Sequence, residues 1–281
     1  MAITNDMIKK LREMTGAGMM DCKRALEESG GSMDAAVEYL RKKGAAVAQK
    51  RSDRTAKEGV IVTRVSPDGK TGVIVEVNCE TDFVGRSDAF TGFAAAVAET
   101  IAAHKPRTLE ELRTLKTASG RTVADLTNDL LAKVGEKIEI RRFGIMESTD
   151  GAVHSYTHLG SKIGVLVECA NVPPGAAAGR DVAMQIAAMN PATVAREEIA
   201  RETVEREMDI YRTQAKNEGK PAPIVDRIAT GRLEKFYQEV CLLEQIFIKD
   251  GGKTVREYLA EAGANATVKR FHRYHLGEEA R

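Results

Sequence analysis

Gly72-Val-Ile-Val-Glu-Val77 and Gly164-Val-Leu-Val-Glu-Cys169 agree in five of six positions by identity or residue class. Short runs rich in β-branched residues and bounded by turn residues read as strands. Each run leads to an Ala-rich helical stretch with a similar end, Ile101-Ala-Ala-His-Lys-Pro106 and Ile186-Ala-Ala-Met-Asn-Pro191. Each is also preceded by another strand and an Asp-Gly turn, Asp68-Gly69 and Asp150-Gly151. Such self-similarity predicts an α+β protein with two duplicated core subdomains, each a small antiparallel sheet backed by helices. The copies differ in length, with 29 positions from Gly72 to Ile101 but 22 from Gly164 to Ile186. The surplus is placed around Thr81-Asp82-Phe83-Val84. A segment added to one copy of a repeated scaffold points to function.

In the first copy, strands Gly59–Val65 and Thr71–Val77 are joined by Pro67-Asp68-Gly69, and a loop is expected from Cys79 to Arg86. Ser87 or Asp88 caps a helix with Phe90, Phe93, Ala94, Val97 and Ile101 on one face. Thr108-Leu-Glu-Glu111 reads as a capping box. A further helix runs from Thr122 to Gly135, followed by a strand in which Ile138 and Ile140 alternate. Residues 1–44 read as three short helices, starting at Thr4, broken at Thr15-Gly16-Ala17-Gly18 and at Gly30-Gly31, and stopping at Gly44. The polar stretch from Gln49 to Glu58 reads as a tether. Beyond Pro191 the chain is helical to Asn217, breaks at Gly219-Lys220-Pro221 and resumes from Ile224 to Val240. Val204, Met208 and Tyr211 are expected to face Ile224, Ile228 and Phe236 in an antiparallel hairpin. Thr254-Val-Arg-Glu257 is another capping box, and Val268–Leu276 is expected to rejoin an earlier sheet. The expected units are an N-terminal bundle (1–50), a linker (51–58), a first core subdomain (59–147), a second (148–191 with 241–265), a helical hairpin inserted into it (192–240) and a C-terminal module (266–281).

With 281 residues, 43% of them hydrophobic and 30% charged, the chain has material for a sizeable core. Lys and Arg number 42 and Asp and Glu 41. That balance argues against a protein held to nucleic acid by its overall charge, so no direct nucleic-acid partner is expected. The N-terminus has no basic segment followed by an apolar one, and no apolar stretch approaches ~18 residues, so a cytoplasmic protein without membrane contact is expected. Cys22, Cys79, Cys169 and Cys241 lie far apart, without metal-ligand spacing, and read as reduced, buried thiols.

Catalytic constellations are sparse. His154 and His158 fall on one face of an alternating strand with no acidic or cysteine ligand near, and read as exposed. His272 and His275, among Arg and Tyr, read as surface. Cys79 with His158 is the alternative reading, a thiol-dependent hydrolase. No phosphate-cradling Gly-rich loop is present. Two segments suit an interaction protein better. Met19 and Met20 follow a Gly-rich turn and point about 100° apart on a helix. Both cannot be central to a small core, although one of them is expected there, and Met adapts to binding surfaces. Thr81-Asp82-Phe83 sets an aromatic beside a carboxylate just past a strand.

Leu11-Arg-Glu-Met-Thr-Gly-Ala-Gly-Met-Met-Asp-Cys-Lys-Arg-Ala-Leu26 resembles the first signature of the elongation factor Ts family, and Glu76-Val-Asn-Cys-Glu-Thr-Asp-Phe-Val84 resembles the second. Lys133-Val-Gly-Glu-Lys-Ile138, Ser155-Tyr-Thr-His158 with Ile163-Gly-Val-Leu-Val167, Gly219-Lys-Pro221 and Lys253-Thr-Val255 extend the likeness along the chain. Gly85 and Lys249 depart from it locally. The resemblance implies a ubiquitin-associated-like N-terminal bundle, two related core subdomains, an inserted coiled-coil hairpin and a C-terminal module. It implies a guanine-nucleotide exchange factor that is not itself an enzyme and needs no cofactor or metal. The implied partner is elongation factor Tu, GDP-bound or nucleotide-free. On this resemblance, Thr81, Asp82, Phe83 and Val84 intrude near the partner's magnesium site. Arg12, Met19 and Met20 dock the bundle, Val134, Gly135 and His158 add to the core contact, and Phe247 and Ile248 touch the partner's other domains. A homodimer through the hairpin stands as an alternative to a monomer.

Overall fold

The computed structural model describes residues 3–50 and 54–278, with the backbone alone for 44–50. Three helices open it: α1 (Asn5–Thr15), α2 (Met19–Glu28) and α3 (Met33–Lys50). Thr4 caps α1 by accepting from the Met7 N–H, and Gly16, at φ 68°, closes it in the left-handed conformation. Ile8, Leu11, Cys22, Ala25, Leu26, Ala36 and Leu40 fill the bundle. Met14, expected on the same face, is exposed. The expected stop at Gly44 does not occur. One internal glycine costs only about 1 kcal/mol against alanine, and the Ala-, Lys- and Gln-rich residues on either side favour helix enough to carry α3 to Lys50. The expected tether therefore begins inside a helix; residues 51–53 of it lie outside the described residues, and Arg54 already bonds Glu80 at 3.1 Å.

The first sheet unit comprises β1 (Glu58–Val65), β2 (Thr71–Cys79), α4 (Asp82–Gly85), α5 (Asp88–His104), α6 (Leu109–Thr114), α7 (Val123–Val134) and β3 (Glu139–Glu147). Its strands are antiparallel in the order β1-β2-β3. Val73, Val75 and Val77 pack under Phe90, Phe93, Val97 and Ile101 of α5 and Leu131 of α7. Ser87 caps α5, and Thr122 with Asp125 forms a capping box on α7. Only half of the box at Thr108 forms: Thr108 accepts from the Glu111 N–H, but the Glu111 carboxylate reaches back to the Arg107 N–H instead.

The second unit comprises β4 (Gly151–Thr157), β5 (Ile163–Ala170), α8 (Ala177–Met189), α9 (Arg201–Asn217), α10 (Ala222–Val240), β6 (Ile246–Phe247), β7 (Asp250–Thr254), α11 (Val255–Ala262) and β8 (Thr267–His275). The sheet order is β4-β5-β8, so the last strand, Thr267–His275, rejoins an earlier sheet. Repetition extends to detail. Glu76 pairs Arg142 and Glu168 pairs Arg270, with a slip in register directly after each glutamate. Lys105 and Asn190 end α5 and α8 in the left-handed conformation, donating their backbone N–H groups to the carbonyls of Ile101 and Ile186. The Asp-Gly turns do not correspond, however. Gly69 turns β1 into β2, whereas Gly151 opens β4, and β4 turns into β5 through residues 158–162.

The two sheets pack back to back through Ile61, Ile74, Met146, Val153 and Leu166. Gly72 and Gly164 permit this contact. A Cβ on Gly72 would lie 2.6 Å from Val153 Cγ1, and one on Gly164 2.5 Å from Ile61 Cγ2, both closer than atoms tolerate. The hairpin seam is Val225, Ala229, Leu233 and Tyr237 of α10, with Val204, Met208 and Tyr211 of α9 packed partly against it. Of the expected α10 residues, Phe236 packs partly against this seam and Ile228 is half-buried, whereas Ile224 is exposed and Val225 takes its place. Among the described residues no helix is long and apolar enough to cross a membrane.

Candidate functional site

The segment expected as a loop after Cys79 contains one helical turn, α4. Its cap is Thr81, whose Oγ1 accepts from the Val84 N–H at 3.4 Å. The Thr81 hydroxyl and N–H in turn donate to the Glu136 carboxylate at 2.7 and 3.0 Å. Phe83 stands out from this turn at 85% exposure, while Asp82 pairs with Arg86 at 3.0 Å and Val84 packs partly against the first core. Phe83 is thus not tucked against its own sheet. Part of the surplus length assigned to Thr81–Val84 resides in α5, which has 17 residues against 13 in α8.

Cys79 lies under the turn, fully buried, donating its Sγ–H to the Thr81 carbonyl at 3.1 Å. Burial, with Glu136 and Glu58 adding negative charge, pushes this thiol up to about 12. It stays protonated at neutral pH and is a poor nucleophile. His158, its expected partner, is exposed and bonds Tyr156 Oη at 3.0 Å. The hydrolase reading is dropped. All four cysteines are free and buried.

Helix α7 gathers the remaining elements along its length. Gly16, between α1 and α2, lies where a Cβ would sit 3.0 Å from Lys133 Cδ, and Arg41 of α3 pairs with Asp125 at 3.7 Å. Gly135, at φ 72°, closes α7 with its N–H on the Leu131 carbonyl. Val134 is partly buried against the first core. Immediately after them comes Glu136, which holds Thr81. The α1–α2 turn and α4 therefore meet the same short stretch, 133–136, at its two ends: Gly16 lies against the Lys133 side chain and Thr81 bonds Glu136. Arg12, Met19 and Met20 are exposed, so neither methionine is core; Met20 is 68% exposed and Met14 adds 58%.

Other expected contact residues divide differently. Phe247 is buried and stacked on Tyr258 with ring centroids 4.0 Å apart, so it is a core residue here. Its neighbours Ile246 and Ile248 are exposed. Alternation along the chain puts Ile246 and Ile248 on the side opposite Phe247. His158 stands beside Leu159, which is 91% exposed. His154, expected on an exposed face, is buried beneath α8, where Gly179 leaves room for its ring; burial lowers its pKa. Burial likewise lowers that of His272. The residue that sequence reasoning missed is Glu136. It lies 55 positions from Thr81, and no local pattern signals a side chain capping so distant a turn.

A family model described as Elongation factor TS matches residues 80–278. The chain is 48% identical over 279 residues to the Elongation factor Ts of Prosthecochloris aestuarii, covering 96% of this chain and 97% of that one. It is 47% identical over 283 residues to that of Clostridium perfringens, covering 98% and 93%. Against that of Chloroherpeton thalassium it is 47% identical over 286 residues, covering 99% of each.

Proposed function

The chain belongs to the elongation factor Ts family, and on that premise we propose that it binds elongation factor Tu in the cytoplasm and accelerates GDP release, with Phe83 as the intruding group. The observation that carries this reading is an aromatic side chain at 85% exposure on a turn whose cap is hydrogen-bonded to a distant element. An exposed Phe has no folding purpose of its own, and a preorganised one loses little freedom on insertion.

The exchange needs no reactive group from this chain. GDP is held in such a partner by oriented phosphate contacts and a magnesium ion. A protein that binds better to the shape in which those contacts are misplaced lowers the barrier to release. Burying one Phe contributes only about 1.5–3 kcal/mol, so a broad surface must supply the rest. Arg12, Met19 and Met20 on the bundle, and His158, Leu159 and Ile248 on the second unit, are the exposed groups that would extend it. Whatever factor the exchanger weakens nucleotide by, nucleotide weakens the exchanger equally. Incoming GTP therefore expels it.

The test follows release of fluorescent GDP from elongation factor Tu. Sub-stoichiometric wild-type chain should accelerate release, and Phe83→Ala should lose about 30-fold of that acceleration, the ~2 kcal/mol of an interface hot spot. Full acceleration by folded Phe83→Ala would remove Phe83 from the mechanism.

A further inference from the structure

Residues 80–81 and 136–137 are joined by a reciprocal clasp. The Glu136 carboxylate accepts the N–H and the hydroxyl of Thr81 at 3.0 and 2.7 Å. In return the Glu80 carboxylate accepts the Lys137 N–H at 2.7 Å, its other oxygen taking Arg54 at 3.1 Å. Each segment thus offers a carboxylate to the other's backbone. Charge-assisted bonds of this kind are short and directional, and these are partly shielded from solvent.

The clasp matters because α4 is otherwise anchored only by the partial packing of Val84 and the buried Gly85. This helix has four residues, and a single helical turn is a costly nucleus that gains almost nothing from its own hydrogen bonds. Phe83, at 85% exposure, supplies no packing to anchor it. The Thr81 hydroxyl does two tasks at once, donating to Glu136 while accepting from Val84. Its rotamer, and hence the start of the turn, is therefore fixed from outside. Glu136 in turn follows Gly135 at the left-handed end of α7.

We infer that Glu136 is a positioning residue for nucleotide exchange: its carboxylate sets the orientation in which α4 presents Phe83 and joins that turn to Val134–Gly135 as one rigid unit. The inference rests on the exchange function proposed above. Without the carboxylate, Thr81 loses both acceptors and α4 samples other orientations. The chain still docks through its remaining surface, but Phe83 enters the partner less often. The loss therefore falls on the saturated exchange rate and not on the concentration giving half of it.

The experiment is a double-mutant cycle read by GDP release from elongation factor Tu over a range of chain concentrations. Glu136→Ala should lower the saturated rate about tenfold while the half-saturating concentration changes less than twofold. Glu136→Gln, which keeps one acceptor oxygen, should be intermediate. In a Phe83→Ala background, Glu136→Ala should change nothing further. Urea midpoints establish that each variant is folded; should Glu136→Ala fail to fold, Thr81→Val removes the bridging hydroxyl and takes its place in the cycle. Losses that multiply in the Phe83→Ala background would show a general structural role and overturn the inference. Wild-type exchange by Glu136→Ala beside a defective Phe83→Ala would overturn it too, leaving the exchange reading intact. Normal exchange by both variants would overturn the inference and remove Phe83 from the mechanism, whereas no acceleration by the wild-type chain would overturn the exchange reading itself.

Discussion

Glu76 and Glu168 occupy the same place on the central strands of the two sheets, but they are embedded differently. Glu76 is fully buried, with Arg141 and Arg142 at 3.0 and 2.7 Å and the Gly277 N–H at 3.1 Å. Glu168 has Arg270 at 2.7 Å, but that guanidinium is 54% exposed. The second copy uses its glutamate to hold neighbouring strands. The first uses the same residue also to hold the backbone just after β8, from the other copy, across the interface. The contrast continues past the strands: the first copy adds a clasped turn with an exposed Phe, while the second runs from β5 into α8 without one. What both copies share builds the sheet; what one copy adds joins the units or faces outward.

The comparison can be broken most directly at the two glutamates. Glu76→Ala leaves two partly buried guanidiniums without their carboxylate and is expected to cost about 3–5 kcal/mol. Glu168→Ala leaves Arg270, a guanidinium already half in water, without its carboxylate and should cost about 1–2 kcal/mol. Urea unfolding midpoints of the two variants measure the difference. Equal losses would mean that the C-terminal attachment to Glu76 adds nothing.

The two phenylalanines flanking Ser87 sharpen the comparison within the first copy. Phe90 is fully buried, and Phe90→Ala should cost about 3–5 kcal/mol. Phe83→Ala should stay within about 0.5 kcal/mol of wild type. A comparable loss at Phe83 would show that α4 folds back onto the core in solution.

Features written in a local period were legible in the sequence. The α+β class, the break at Gly219-Lys220-Pro221 and the caps at Thr4 and Ser87 all follow from residues within a few positions of one another, and the repeat from matching two such local patterns. What escaped depends on neighbours distant in sequence. Gly44 reads as a stop until the helix-favouring residues on both sides are weighed together. At the start of α10 the hairpin seam lies one residue from its expected position because Ile224 and Val225 are equally apolar, and only the partner helix selects between them. His154 looks exposed until Gly179, on another element, makes room for it. Phe247 looks available until Tyr258 stacks on it. Asp82 and Phe83 were legible as an exposed pair, but Glu136, which steadies them, was not.

The smallest expected effect concerns pH and tests whether Glu168 acts through its charge. Burial works against its ionised form, but hydrogen bonds from Arg270 and Ser148, with the charges of Arg270 and Lys269, outweigh it and hold the carboxyl below its ordinary 4.5. A group whose folded pKa is depressed contributes stability that is fully present above its unfolded pKa. That contribution is lost as pH falls, because the unfolded chain takes up the proton first. Wild type should therefore exceed Glu168→Gln by about 1 kcal/mol at pH 7, a value kept small because Arg270 is half in solvent. The gap should begin to close near pH 4.5 and shrink further as the folded carboxyl is itself protonated. Other carboxylates destabilise both proteins alike over this range, so the difference between their urea midpoints isolates Glu168. A gap that stays constant from pH 7 to about pH 3.5 would show that Glu168 contributes by shape, and that the two copies differ in packing more than in charge.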